Sequence, residues 1–378
     1  MYLEKFSYYE YLNTPKKWIL EEFILNDINL MVGNNASGKS RTLNVISGLS
    51  KLILSPRITF DDGYFSASFS IDKSTYSYKI KIQKGMIENE ILKIDDKDFI
   101  VRNIDGKGKI FSVVSKTMID FKIPTNELIA SRRDEAQYPY LNNLYDWAFR
   151  LRHFRFAKEQ EKQTLTVVDI NRPISEPFNL KETDKVIQIF KLAKKEFNNN
   201  FIKQVIDDFN SIGYSIQEID LKPMTSIKID SPISGPIVGL NVKERDREGY
   251  TDQNAMSDGM FRALSILIHF NYYNLANLSG TVLIDDIGEG LDFERSTKLI
   301  KLLINKANKS NIQLIMSSND KFVMNNTSLD YWQVIYREGS VVKMFNKHNS
   351  EEIFKDFKFT GLNNFDFFTT DFFKTGLN

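Results

Sequence analysis

The spacing of apolar residues changes several times along this chain, and each change marks an element. Phe23-Ile24-Leu25 and Ile28-Asn29-Leu30-Met31-Val32 read as strands, and Leu43, Ile46, Leu49 and Ile53 follow at helical spacing. Within residues 57–125 the period falls to two. Phe65, Ala67, Phe69 and Ile71 form one face against Tyr64, Ser66, Ser68 and Ser70, and Tyr76, Tyr78, Ile80 and Ile82 repeat the alternation. Turn signals at Lys84-Gly85, Asp95-Asp96 and Asp105-Gly106-Lys107-Gly108 make this an antiparallel meander. Residues 138–213 read as helical. Leu144, Trp147, Leu151 and Phe154 lie on one stripe. Val186, Phe190, Ala193, Phe197, Phe201, Val205, Phe209 and Ile212 lie on a longer one that Gly213 ends, with a loop around Pro173 and Pro177 between. This pair of helices either packs back on its own sheet or forms an arm. Strand-like alternation returns in 214–250 at Ile216, Ile219, Leu221, Ile227 and Ile229, broken by Pro232, Gly235 and Pro236. The predicted fold class is α/β: a mixed sheet, an antiparallel β lobe and a helical insertion.

Between the strand at 28–32 and the helix at 43–53 stands Gly33-Asn34-Asn35-Ala36-Ser37-Gly38-Lys39-Ser40, which fits G-x-x-x-x-G-K-[ST] at every defined position. Glycines let the backbone wrap an anion, while successive N–H groups and the helix N-terminus point positive dipole ends at it. Lys39 is then placed to reach β- and γ-phosphates, and the Ser40 hydroxyl to hold Mg²⁺. These eight residues and the adjoining Arg41 are the candidate contacts to ATP.

Composition narrows the alternatives. With 42% apolar and 26% charged residues in 378, and a net charge of +1, the chain has a globular make-up and no global field for nucleic acid or anionic lipid. It contains no cysteine, which removes disulfides and thiolate chemistry and fits a cytoplasmic protein. His153, His269 and His348 are scattered without a companion motif. No signal-like or membrane-spanning stretch is present. Arg150, Arg152, Arg155 and Lys158, interleaved with Phe149, Phe154 and Phe156, are the one basic–aromatic run; it either tracks phosphates or forms a solvated helix face. Phe354, Phe357, Phe359, Phe365, Phe367, Phe368, Phe372 and Phe373 crowd the tail, to close the core or to dock a partner.

After residue 250 the chemistry resumes. Thr281-Val282-Leu283-Ile284-Asp285-Asp286 is an apolar strand ending in two carboxylates, where one can hold Mg²⁺ and the next can orient an attacking water. Ser257-Asp258-Gly259 precedes an apolar helix from Ala263 to Phe270. Glu289-Gly290-Leu291-Asp292 precedes a second helix, and the strand Ile312–Met316 ends in Ser317-Ser318-Asn319-Asp320.

This order resembles the ABC-type ATPases, within them the RecF, SMC and OLD-like branch and its stand-alone relatives in bacterial defence and toxin-type modules. The resemblance covers residues 20–56 and about 250–325. It implies that Ser257 and Gly259 belong to the signature loop, Asp285 to the Mg-associated position, Asp286 to the catalytic acid, Asp292 to the D-loop and Asn319 to the switch position. It further implies two ATPase half-heads, 1–137 and 214–378, around a helical insertion at 138–213. A glutamine on Mg²⁺ is expected between the halves, with Gln137 the candidate. The implied mechanism is an ATP-dependent homodimer, in which one subunit's signature serine caps the γ-phosphate held by the other's Lys39 loop.

Two departures matter. Asp286 stands where the family has Glu, one methylene shorter, and Asn319 stands where it has His and cannot accept a proton near neutral pH. Both point to slow hydrolysis. The stretch after Asn319 is too short for the nuclease domain of OLD-like enzymes, so the expected partner is a separately encoded effector, in antiphage defence. A DNA-binding repair ATPase and a transporter ATPase subunit are the alternatives; the first calls for a basic channel or long heptads, the second for a membrane partner.

Overall fold

The computed structural model describes residues 1–55, 57–71, 73–155, 186–226 and 238–376. The expected loop at Pro173 and Pro177, the end of the basic–aromatic run (Phe156, Lys158) and Ile227 to Pro236 lie outside them.

In chain order the strands are β1 Tyr2–Glu10, β2 Trp18–Ile24, β3 Ile28–Val32, β4 Gly63–Ile71, β5 Ser74–Gln83, β6 Met86–Ile94, β7 Lys97–Arg102, β8 Lys107–Ser112, β9 Thr117–Lys122, β10 Arg152–Arg155, β11 Ile216–Pro223, β12 Val238–Glu244, β13 Thr251–Asp252, β14 Gly280–Asp285, β15 Ile312–Ser318, β16 Trp332–Glu338 and β17 Val341–Phe345. The helices are α1 Lys39–Leu54, α2 Leu141–Arg150, α3 Val186–Ser211, α4 Asp258–Leu275, α5 Phe293–Asn308, α6 Lys321–Asn325, α7 Glu351–Lys358, α8 Asn364–Thr369 and α9 Phe372–Thr375.

One sheet runs β10-β14-β15-β3-β16-β17-β2-β1-β4-β5-β6-β7-β8-β9, and β11-β12-β13 form a second, small one. The strands β10, β14, β15, β3 and β16 are mutually parallel, so their carboxyl ends share one edge. That edge is where ligands of open α/β sheets bind. Both faces of this parallel part are covered, which is why its strands are apolar throughout. Ile28, Leu30, Val32, Val282, Ile284, Leu314 and Met316 face a core shared with α3, α4 and α5. Met31, Leu283 and Ile315 face the opposite core, with α1, α2 and the meander.

The meander predicted for 57–125 forms as β4 to β9, each antiparallel to the next. It is not a detached lobe: β4 pairs with β1, which makes it the continuation of the main sheet. A buried polar knot fastens its interior. Glu90 accepts the Tyr78 hydroxyl at 2.8 Å and the Ile129 and Ala130 amides at 3.0 Å each, and pairs with Arg102 at 3.3 Å. Arg102 also donates to the carbonyls of Glu127 and Pro124.

The helical stretch at 138–213 differs from expectation in two places. The first helix stops at Arg150, because Arg152–Arg155 pair with Val282–Asp285 as a parallel edge strand. Leu151 and Phe154 are buried, but from a cap and a strand. Arg152 is fully buried as well, whereas Arg155 on the same strand is exposed, so the described part of the basic–aromatic run past Arg150 is an edge strand and not a helix face. The long helix breaks at Asn198, where φ 49 and ψ −130 leave the helical region. The ring centroids of Phe190 and Phe201 lie 5.6 Å apart. Eleven residues of straight helix would separate them by roughly 16 Å, so the chain folds back on itself there. The folded pair packs on α4 and β11, within the core.

Most of the aromatic tail closes that same core: Phe354, Phe357, Phe367, Phe372 and Phe373 are buried, and Phe367 meets Trp332. Phe359 alone among the tail phenylalanines is almost fully exposed. No described helix is long and apolar enough to cross a membrane.

Candidate functional site

The phosphate loop links β3 to α1. A side chain at Gly33 would come within 2.5 Å of Ile335 Cγ2 and 2.6 Å of the Ile335 carbonyl, so only glycine lets the loop pass beside β16. Gly38 starts α1 in the left-handed region at φ 111, and no side chain caps the helix. Its first amides are therefore available to an anion. The Ser37 hydroxyl is buried in the loop without a hydrogen-bond partner. A glycine-lined turn, an uncapped helix and an unsatisfied hydroxyl together fit a phosphate chain.

Lys39 is buried and donates to the carbonyls of Gly33 at 2.7 Å and Asn34 at 3.1 Å. Burial pulls its ammonium below the ordinary value, against the opposite pull of Asp286 and Asp285. The Ser40 hydroxyl donates to Asp285 Oδ1 at 3.1 Å, joining the loop to the end of β14. A hydroxyl and a carboxylate are oxygen donors suited to Mg²⁺, which completes its shell with water and substrate phosphates. Among the described residues no three His, Asp or Glu side chains gather into a metal site. Arg41 leans the other way, stacking 4.4 Å over the Trp18 ring and pairing with Glu10.

Beyond Asp285 the backbone turns sharply. Asp286 sits at φ 48, in the left-handed region. Ser317, at the carboxyl end of the neighbouring β15, holds this turn: its hydroxyl donates to Asp285 Oδ1 at 2.6 Å and accepts the Asp286 amide at 2.8 Å. The Ile287 amide donates to the Ser317 carbonyl at 2.8 Å. Burial pushes the Asp286 carboxyl above its ordinary value; Asp285 and Glu289 add to this and Lys39 opposes it. On the next strand end, Asn319 donates to Asn35 Oδ1 at 2.6 Å, linking the switch position to the phosphate loop.

The expected signature residues stand close by. Ser257 caps α4, accepting the Met260 amide at 3.2 Å. A side chain at Gly259 would meet the Gly290 carbonyl at 2.0 Å, so α4 rests directly on the loop after Asp286. Arg262 reinforces the contact by pairing with Glu289 at 3.5 Å. Asp292 caps α5, accepting the Arg295 amide at 2.9 Å and pairing with its guanidinium at 2.7 Å. Its carboxylate is thus engaged by its own helix.

Ser40, Lys39, Asp285, Asp286, Asn35 and Asn319 therefore converge. Gln137 does not join them. Its amide donates to Asp134 and its carbonyl accepts the Val113 amide, tying it to the β8–β9 turn. On this side of the sheet the chain reaches the site at the end of β10, where Arg155 is in register with Asp285. The sequence alone assigns no role to Ser317 or Arg262. For Ser317 a signal existed: a small hydroxyl residue ends the apolar strand that follows the carboxylate strand.

A family model described as "AAA domain, putative AbiEii toxin, Type IV TA system" matches residues 28–325. Two solved structures share the fold. One is the SmcHead bound to the C-winged helix domain of ScpA, 13% identical with a TM-score of 0.52, covering 91% of this chain and 97% of that one. The other is the Smc head domain with an extended coiled coil bound to the C-terminal domain of ScpA, from Pyrococcus furiosus. It is 12% identical with a TM-score of 0.50, covering 94% of this chain and 99% of that one. No curated protein matches the sequence.

Proposed function

Because the chain belongs to that AAA-domain family and shares the fold of SMC head domains, we propose that it is an ATPase acting as a slow, ATP-gated switch. Two copies close on ATP and so regulate a separately encoded effector, in a toxin-type or antiphage module of the cytoplasm. The observation that carries the ATPase half is the bridge Ser40–Asp285–Ser317 beside the buried Lys39. It sets a cation-holding pair against a phosphate-holding loop at the shared strand ends.

The roles follow from position. Loop amides and Lys39 would hold the phosphates, and Ser40 and Asp285 would hold Mg²⁺, which would supply neutralisation of the phosphate charge. Asp286 orients the attacking water, and its raised carboxyl is suited to sharing that water's proton. Asn319 orients but cannot take up the proton, and Asp286 reaches less far than a glutamate. Both features support slow turnover. Ser257, exposed at the start of α4, is offered to the ATP of a second copy, while Gly259 lies buried behind it against Gly290. The DNA-binding alternative loses Arg152 and Phe154 from the run that favoured it, since both are interior residues, and keeps the exposed Arg155.

The test is molar mass by light scattering with and without ATP-Mg²⁺, for the unaltered chain and for Asp286→Ala. The expected result is a dimer on ATP that the variant fails to release. ATP binding with no change in mass would sink the two-copy switch.

A further inference from the structure

The main sheet ends at β9, with the whole meander between this strand and the phosphate loop. It pairs with β8 from Lys107↔Lys122 to Ser112↔Thr117. The Ile123 amide donates to the Gly106 carbonyl at 3.0 Å, which makes 106–123 a hydrogen-bonded pair of the same register. Bonded and non-bonded pairs alternate along an antiparallel ladder, so Thr117, Ile119 and Phe121 bond inward to β8. Met118, Asp120 and Lys122 therefore turn their main-chain N–H and C=O groups outward, where they meet no partner among the described residues. The side chains of this edge are unfinished as well. Ile119 and Phe121 pack on the core beneath the meander yet stay half-buried, while Asp120 and Lys122 are exposed on the other face. Aliphatic residues are exposed at both ends of the edge. Val113 (43%) and Val114 (70%) stand in the turn before β9, and Ile104 (56%) stands in the turn before β8, close to Gly106.

We infer that β9 pairs with β9 of a second copy, antiparallel about a two-fold axis at Phe121, so that one sheet runs through both molecules. Only outward-facing residues can form bonded pairs across such a seam, which restricts the register. An axis at Asp120 sets that carboxylate against its own copy. An axis at Ile119 sets Lys122 against Lys116, whose φ of 56 is not extended. An axis at Phe121 sets Asp120 against Lys122 on both sides of it, and Phe121 against Phe121. Charges on an edge strand ordinarily keep it from pairing with itself; here they select one register. The same register places Ile119 beside Ile123 of the other copy. It also carries each Val113–Val114 turn toward the other copy's Ile104 turn, covering residues exposed in a single molecule. The contact uses no nucleotide and lies away from the strand ends that hold the phosphate loop. An interface this narrow is expected to dissociate at roughly 10–100 µM, so the ATP-driven pairing proposed above can be read separately at lower concentration.

The test is sedimentation velocity without nucleotide, from about 1 to 300 µM chain. The unaltered chain is expected to pass from monomer to dimer. Asp120→Lys and Lys122→Asp each set like charges across the seam and raise the dissociation constant about tenfold or more. The variant carrying both changes restores opposite signs and returns to within about threefold of the unaltered chain. Because the chain has no cysteine, Phe121→Cys carries a single thiol. At the axis it faces its copy with Cα atoms about 4.5 Å apart, within disulfide reach, and is expected to crosslink under mild oxidation. Lys97→Cys, on β7, is expected not to. A chain that stays monomeric over this range overturns the pairing and leaves β9 as an edge for another protein's strand. So do dimers indifferent to the single charge reversals, a double variant as weak as the singles, or dimers that never crosslink through Phe121→Cys. Dimers seen only with nucleotide also overturn it, while the proposed ATP-gated switch stands.

Discussion

Replacing Ser317 by Ala removes one hydroxyl that bonds the Asp285 carboxylate and the Asp286 backbone amide. The bond to Asp285 Oδ1, 2.6 Å long, is made to a carboxylate oxygen, and hydrogen bonds to such charged groups contribute about 1.5–3 kcal/mol. The second bond, 2.8 Å from the Asp286 amide, pins a residue whose backbone sits at φ 48. Without it that amide loses its partner and the turn is free to relax, moving Asp286 relative to the phosphate loop. If roughly 1.4–2.8 kcal/mol of this is felt in the transition state, turnover falls about 10- to 100-fold. The assay is single-turnover phosphate release over a Mg²⁺ titration, with fluorescent-ATP binding measured in EDTA. Expected are slower release, a higher Mg²⁺ requirement and metal-free ATP affinity within about twofold of the unaltered chain, because the phosphate loop itself is untouched. Ser317→Thr, which keeps the hydroxyl, should recover part of the rate. Ser317→Ala retaining full rate and Mg²⁺ dependence would refute the idea that this hydroxyl positions the carboxylates.

Three further expectations concern charge. Burial holds the Lys39 ammonium below its ordinary value, so the folded state binds fewer protons than the unfolded one between that lowered pKa and the ordinary value, and stability from this group rises with pH there. Lys39→Met should therefore abolish ATP binding while raising the apo melting temperature at pH 7 by about 1–3 °C in calorimetry. The Asp286 carboxyl is raised, so kcat/KM should be present above its pKa and lost as pH falls through it. Glu289→Gln removes one of the charges raising it and should move that acid limb to lower pH; an unmoved limb means another group titrates. Arg102→Met strands Glu90 in the interior, where both side chains are fully buried, and should destabilise the protein by about 3–5 kcal/mol in urea titrations. A change below about 1 kcal/mol would mean that Glu90 is neutral there.

Local signals in the sequence carried the catalytic strands and the phosphate loop, because each is specified by neighbours along the chain. Gly33 to Ser40 is a contiguous motif, and Leu43, Ile46, Leu49 and Ile53 mark one helix face that is fully buried as expected. The misreadings are all non-local. Leu151 and Phe154 extend the stripe of α2 perfectly well, and only pairing with β14, more than a hundred residues later, makes 152–155 a strand. The apolar period runs unbroken through Asn198 because both limbs of the folded helix face one core, so periodicity alone gives no sign of the turn. Gln137 was placed by its order between the two half-heads, whereas access to the site depends on which strand ends beside Asp285. Ser317 acquires its role only once β15 lies next to β14.

The fold-back at Asn198 leaves Asn198, Asn199 and Asn200 exposed at its tip, while the limbs on either side are anchored by buried Phe190 and Phe201. Length is therefore a free variable at this point. Residues spliced into an exposed tip meet little resistance, and the entropy of closing a longer excursion grows only logarithmically. A reporter, a tether or a rigid rod inserted there would leave the nucleotide edge intact and project from the molecule as a handle. Such an appendage would let the proposed closure of two copies be watched, or pulled against, from outside.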